Sequence, residues 1–118
     1  MNIEKKQITQ ITNAVTEEYM NVLLESTNDH CIRLAVFTGE YDWHMHPDSD
    51  EVFMVVEGEL FIDLQNEGTL AVYPNEVVKI PAGVVHRTRS KVRTVNLCFE
   101  KEEADTVFIE SSSHPERE

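Results

Sequence analysis

The sequence predicts an all-β domain, a sandwich or a barrel, on three observations. Short apolar segments recur from Tyr19 onward, turns rich in Gly, Pro and Asn separate them, and no stretch carries the period of a long amphipathic helix. Taken in order, residues 1–18 are polar with scattered Ile and Val. They suit a short helix or a strand exchanged with another copy, and the pattern does not choose. Residues 19–25 and 31–38 read as strands flanking Ser26-Thr27-Asn28-Asp29-His30, a hairpin connection. Strands follow at about 42–46, 51–57 and 59–65. Asn66-Glu67-Gly68 makes the next hairpin, with Gly68 suited to the left-handed position. Then come 69–73, 77–80, 86–89 and 93–99, with a last short strand at 107–110. The polar end, Ser111 to Glu118, is expected to be disordered.

At 118 residues the chain is expected to form one domain, residues 1–110, able to bury about 65% of its unfolded surface. Ten Lys and Arg against 22 Asp and Glu give a net charge of −12, which argues against nucleic acid and anionic membrane as partners. No apolar run approaches a membrane span, and the first residues lack the apolar core and cleavage site of a secretory leader. Cys31 and Cys98 sit in apolar strand-like segments, so two buried free thiols and a cytoplasmic location are expected.

The chemistry concentrates in two stretches. One runs from Gly39 through His44, His46 and Glu51 to Gly58, and the other is Pro81-Ala82-Gly83-Val84-Val85-His86. Residues two apart on a strand share a face, so His44 and His46 can aim into one cavity. The turn Pro47-Asp48-Ser49-Asp50 brings Glu51 back beside them, and His86 after the Pro81–Gly83 turn can complete the set. Three imidazoles and one carboxylate suit a divalent transition metal such as Fe, Mn, Ni, Zn or Cu. Singly, a His-x-His pair is a solvated strand face and a Pro-x-Gly is a turn; their joint occurrence is what points to a metal. His30 and His114 lack such spacing and read as surface residues.

These two stretches resemble the motifs of the cupin superfamily, G-x5-H-x-H-x3–4-E-x6-G and G-x5-P-x-G-x2-H-x3-N. The first has one residue fewer between Gly39 and His44. The second has Asn75 for its first Gly and Ser90 for its last Asn, and neither change touches a ligand position. Asn tolerates a left-handed backbone, so the turn at Asn75 can survive. The likeness is closest to small single-domain bacterial cupins, through Trp43-His44-x-His46, Asp50-Glu51-Val52-Phe53 and Val56-Glu57-Gly58-Glu59-Leu60. Members often carry the label mannose-6-phosphate isomerase-like. The resemblance covers about residues 39–90 and implies a double-stranded β-helix, or jelly-roll barrel, with metal ligands at His44, His46, Glu51 and His86. Proteins of this size in the family commonly dimerise.

Strand phase adds detail. With Glu51 inward, Phe53 and Val55 follow it and would line the cavity, while Val52, Met54 and Val56 make the outer face apolar too. Either the N-terminal segment or a second subunit should cover that face. With His86 inward, Thr88 points in while Arg87 and Arg89 point out, and Lys91 and Arg93 follow. That charge reads as a solvated, edge-protecting strand, or else as a docking patch for an acidic surface. Four protein ligands leave two positions open on a six-coordinate ion, enough for a small oxygen-bearing ligand. Tyr41 and Tyr73 read as packing or rim residues, and no catalytic acid, base or nucleophile is assignable. Two functions fit: a metal-dependent enzyme of oxygenase or isomerase type acting on a small polar metabolite, or a non-catalytic metal or small-ligand binding module.

Overall fold

A computed structural model describes residues 2–110, so the tail expected to be disordered, with His114, lies outside the described residues. The elements are α1 (Ile8–Asn13), β1 (Tyr19–Thr27), β2 (His30–Glu40), β3 (His44–Met45), β4 (Glu51–Glu57), β5 (Leu60–Leu64), β6 (Gly68–Val72), β7 (Val77–Ile80), β8 (His86–Lys101) and β9 (Val107–Phe108). Every pairing is antiparallel. β8 holds the fold together: its first residues lie between β5 and β3, and its later ones between β2 and β4. β6 and β9 flank the first group, β1 and β7 the second. The sheet therefore curls on itself as a double-stranded β-helix.

The segments expected as separate strands at 86–89 and 93–99 are one strand. The break suggested by Lys91, Val92 and Arg93 is a bulge, where the register jumps from Gly39↔Ser90 to Phe37↔Thr94. Four residues on β8 span what two span on β2, and Val92 at the bulge is 52% exposed. The loop at Asn75 takes the left-handed backbone expected there, with φ 72°.

The core has two parts. Inside the curl, Phe37, Phe53, Val55, Leu60, Ile62 and Ile80 pack together. On the outer face, Leu34, Val36, Val95 and Leu97 are covered by Ile8, Ile11 and Val15, with Met54 among them. Each fully buried Leu or Val here contributes about 1.5–3 kcal/mol. Of the two covers considered for the outer face, α1 packs on the same buried cluster that Met54 of β4 joins. Arg93 fastens it by donating from Nη2 to Thr12 O. Val56 stays 38% exposed.

The basic run on β8 is consumed within the chain. Asp63 accepts hydrogen bonds from Arg87 Nε at 2.9 Å and from Arg89 Nε at 2.8 Å, and Thr69 Oγ1 donates to it at 2.6 Å. Arg93 pairs with Glu57 at 2.9 Å, and Lys91 Nζ sits over the Phe61 ring at 5.4 Å. The strand is central, so its charges do not guard an edge; they clamp neighbouring strands. Among the described residues, no helix is long and apolar enough to cross a membrane.

Candidate metal centre

All four sequence-predicted ligands come together. Their donor atoms lie within 4.8 Å of one another, and all four residues are buried. His44 comes from β3 and pairs with His86 at the start of β8; Glu51 opens β4. The intervening turn is stitched down from several sides. Gly83 N donates to His46 O at 2.8 Å, Ala82 N to Asp50 Oδ1 at 2.9 Å, Lys101 N to Ser49 Oγ at 3.0 Å, and Asp105 N to Asp48 Oδ1 at 3.1 Å. These bonds end β3 at Met45, short of the expected residue 46, because the backbone of His46 serves the Pro81 turn instead of a ladder.

Each imidazole is oriented by its own backbone partner. Nδ1 of His44 faces Asp42 O at 2.8 Å, Nδ1 of His46 faces Asp105 O at 3.0 Å, and Nδ1 of His86 faces Val84 O at 2.9 Å. A carbonyl can only accept, so each Nδ1 carries a proton, and in the neutral ring Nε2 is the nitrogen left with a lone pair for a cation. Glu51 Oε1 lies 3.0 Å from His86 Nε2 and 3.3 Å from His46 Nε2. His46 Nε2 is buried without a hydrogen bond of good geometry. A buried, unsatisfied nitrogen facing a carboxylate and two further imidazoles is what a cation would satisfy, so the donor set fits a divalent metal.

The charges are strongly coupled. The Glu51 contact raises His46 to about 9. Burial alone would raise Glu51, but His46, His86 and Cys98 outweigh it and hold the carboxyl well below the usual range. Burial lowers His44.

Two wall residues escaped the sequence reading. Cys98 Sγ donates to Glu51 Oε2 at 2.9 Å, and Glu100 Oε1 lies 3.8 Å from His46 Nε2. Burial, then the charge of Glu51, raises the Glu100 carboxyl to about 7. Counting in twos along one unbroken strand from His86 reaches Asn96, Cys98 and Glu100, all on the cavity wall; splitting β8 at Lys91 hid that phase. The cavity, about 360 Å³, falls in the range of small-molecule sites. Phe53 lies on its wall, edge-on to His86 at 6.2 Å, while Val55 sits in the core behind it. Tyr41 is also on the wall, edge-on to His44 at 5.2 Å; Tyr73 is exposed.

The comparisons with known proteins agree. Residues 33–97 match the family model described as Cupin domain. The uncharacterized protein YdbB of Bacillus subtilis (strain 168) is 59% identical over 100 residues, covering 85% of this chain and 88% of that protein. A cupin-2 domain containing protein from Shewanella frigidimarina is 27% identical with a TM-score of 0.77, covering 82% of this chain and 94% of that one. The DMSP lyase DddQ of Ruegeria pomeroyi is 20% identical with a TM-score of 0.67, covering 76% of this chain and 51% of that one. That likeness shows the fold alone.

Proposed function

The chain belongs to the cupin family, and on that footing we propose that it binds a divalent transition metal through His44, His46, His86 and Glu51 and acts as a small metal-dependent enzyme. The reading is carried by the three Nδ1–carbonyl contacts, which leave the second ring nitrogen of each imidazole to face one carboxylate across a space a cation would fill. The metal is Fe, Mn, Ni or Zn, and when bound it supplies Lewis-acid or redox chemistry. The chain's own residues do the rest. Glu51 balances charge, and Phe53 and Phe37 on the wall exclude water. Glu100 stands beside His46, placed to hold one proton. The substrate is a small polar metabolite with oxygen donors, and the reaction is of oxygenase or isomerase type. That some proteins sharing this fold are enzymes, the DMSP lyase among them, supports a catalytic role.

The test begins with metal analysis of untagged protein. One equivalent of metal is expected, with loss in a His44→Ala/His86→Ala double variant; metal retained by that variant refutes the ligand set. Oxygen uptake and product analysis across a metabolite panel then separate the enzyme from a binding module, which would hold ligand without turnover.

We place the protein in the cytoplasm, since Cys31 and Cys98 are both free and buried and suit a reducing compartment. We also propose a homodimer. Val56 on the outer face, with Val22 and Leu23 on the edge strand β1, remains exposed and offers a second copy an apolar contact. Light scattering at tens of micromolar should give twice 13.6 kDa; a 13.6 kDa particle refutes it.

A further inference from the structure

Among the residues lining the cavity wall is one arginine, Arg33, and no lysine. It lies on β2 opposite Cys98, which in turn lies opposite Phe53 on β4. Arg33 is therefore two strands from the strand that carries Glu51, about 10 Å across the sheet. Its Nε donates to Asn21 Oδ1 at 2.7 Å. The Cys31 thiol is a second side-chain hydrogen-bond partner and Glu100 on the same wall acts on Arg33 through its charge, but among the described residues no carboxylate forms a close ion pair with it. The contrast with the other arginines is sharp. Arg87, Arg89 and Arg93 all pair with carboxylates of this chain. In a protein with 22 acidic side chains and ten basic ones, a cavity arginine without a close ion pair is the exception.

The geometry also orients it. Asn21, on the neighbouring edge strand and itself on the cavity wall, takes Nε and fixes the plane of the guanidinium. The two Nη groups present a parallel pair of donors, the shape that grips a carboxylate or phosphate with two hydrogen bonds. The wall that Arg33 shares with the four-residue centre carries Ala35, Phe37 and Phe53 as its apolar part and Asn96, Cys98 and Glu100 as its polar part.

We propose that Arg33 binds an oxyanion, a carboxylate or a phosphate, at the far end of the ligand. The ligand class is then a small molecule with a chelating oxygen pair at one end and an anion at the other. Asn21 is a positioning residue for this contact. The inference rests on the metal-centre reading, which supplies the site for the chelating end.

The test titrates nickel-loaded protein calorimetrically with three probes that share a 2-hydroxy acid head. 2-Hydroxybutyrate lacks a second anion, malate adds a carboxylate, and 3-phosphoglycerate adds a phosphate. Wild type should bind one of the anionic pair about 10- to 100-fold tighter than 2-hydroxybutyrate, and the tighter one names the oxyanion. In Arg33→Gln that preference should collapse to within about twofold while 2-hydroxybutyrate affinity holds; Arg33→Lys, with charge but no fork, should fall between. Nickel content and melting temperature certify that each variant is folded and loaded. A preference that survives Arg33→Gln, or one absent from wild type, overturns the inference and leaves the metal centre intact. Should wild type retain no nickel, the metal reading falls instead. The Arg33 Nε–H resonance of metal-free protein then decides: a shift on adding malate or 3-phosphoglycerate supports the anion site, and an unmoved resonance overturns it.

Discussion

Replacing Gly58 by alanine should be among the most damaging single-methyl changes available in this fold. Gly58 follows β4 with φ +92°. A methyl there would stand 2.5 Å from Arg93 O, 2.6 Å from Thr94 Oγ1 and 2.8 Å from Thr94 Cα. Two of those atoms are backbone on β8, and the third cannot swing away. Thr94 is fully buried, and its hydroxyl donates toward Glu59 O at 3.1 Å and Val92 O at 2.9 Å while accepting from Glu59 N at 3.1 Å. The left-handed backbone costs an L-residue about 1–2 kcal/mol. Overpacking against an immovable strand adds roughly 1–3 kcal/mol, and a disturbed Thr94 bond about 1 kcal/mol. The total is about 3–6 kcal/mol against a typical stability of roughly 5–15 kcal/mol. Gly68→Ala is the control: φ is +85°, but nothing lies within 4 Å of the added carbon, so only the backbone cost of about 1–2 kcal/mol applies. Followed by circular dichroism, the melting temperature should fall by about 15 °C for Gly58→Ala and by about 5 °C for Gly68→Ala. Equal losses, or a larger loss at Gly68, would refute the assignment of the cost to the contact with Arg93 and Thr94.

Other outcomes follow from the same contacts. Asp63 is buried, and although burial would raise its carboxyl, Arg89, Thr69 and Arg87 hold it near 2. A lowered folded pKa means its stabilisation is full above about 4 and fades as pH falls toward 2. It is worth about 2 kcal/mol. Asp63→Asn should therefore lower the midpoint of urea unfolding at pH 7 and flatten the loss of stability between pH 4 and 2; an unchanged pH profile would count against the clamp. Cys98 donates to Glu51, so Cys98→Ala should weaken nickel binding by about tenfold in a chelator competition, and Cys98→Ser should restore most of it. Equal affinity in both variants would show that the thiol does not orient Glu51. Ile11→Ala in α1 should lower stability by about 1–2 kcal/mol while nickel content holds, since Ile11 packs on the outer cluster and not on the cavity; lost metal would contradict that separation.

Much of the site was legible because ligands at short spacing lie on few elements. His44, His46 and Glu51 flank one turn, and His86 follows another, so local rules of strand phase and turn chemistry placed them. Asn75, too, declared its backbone by its side chain. What escaped depended on contacts far along the chain. Lys91-Val92-Arg93 has the composition of a turn, and only the pairing of β8 with β2 shows it to be a bulge within one strand. That misplaced boundary concealed Cys98 and Glu100. The fates of Arg87, Arg89 and Arg93 were equally invisible, since Asp63 and Glu57 lie tens of residues away. The cover over the cluster that Met54 joins needed α1 to fold back across the outer face, a choice that residues 1–18 alone do not make.

β8 threads both groups of strands, and its two ends carry His86 and Glu100. Four other strands hydrogen-bond to it, so neither half of the barrel can open while the other stays closed. The chain cannot be divided into a binding half and a supporting half. A half-folded chain would lack both the pocket and the assembled donor set, so any ion would find its four ligands only in the completed fold. An ion held at the four-residue centre would stabilise the completed fold by mass action, so stripping it would lower the melting temperature of a chain that still folds.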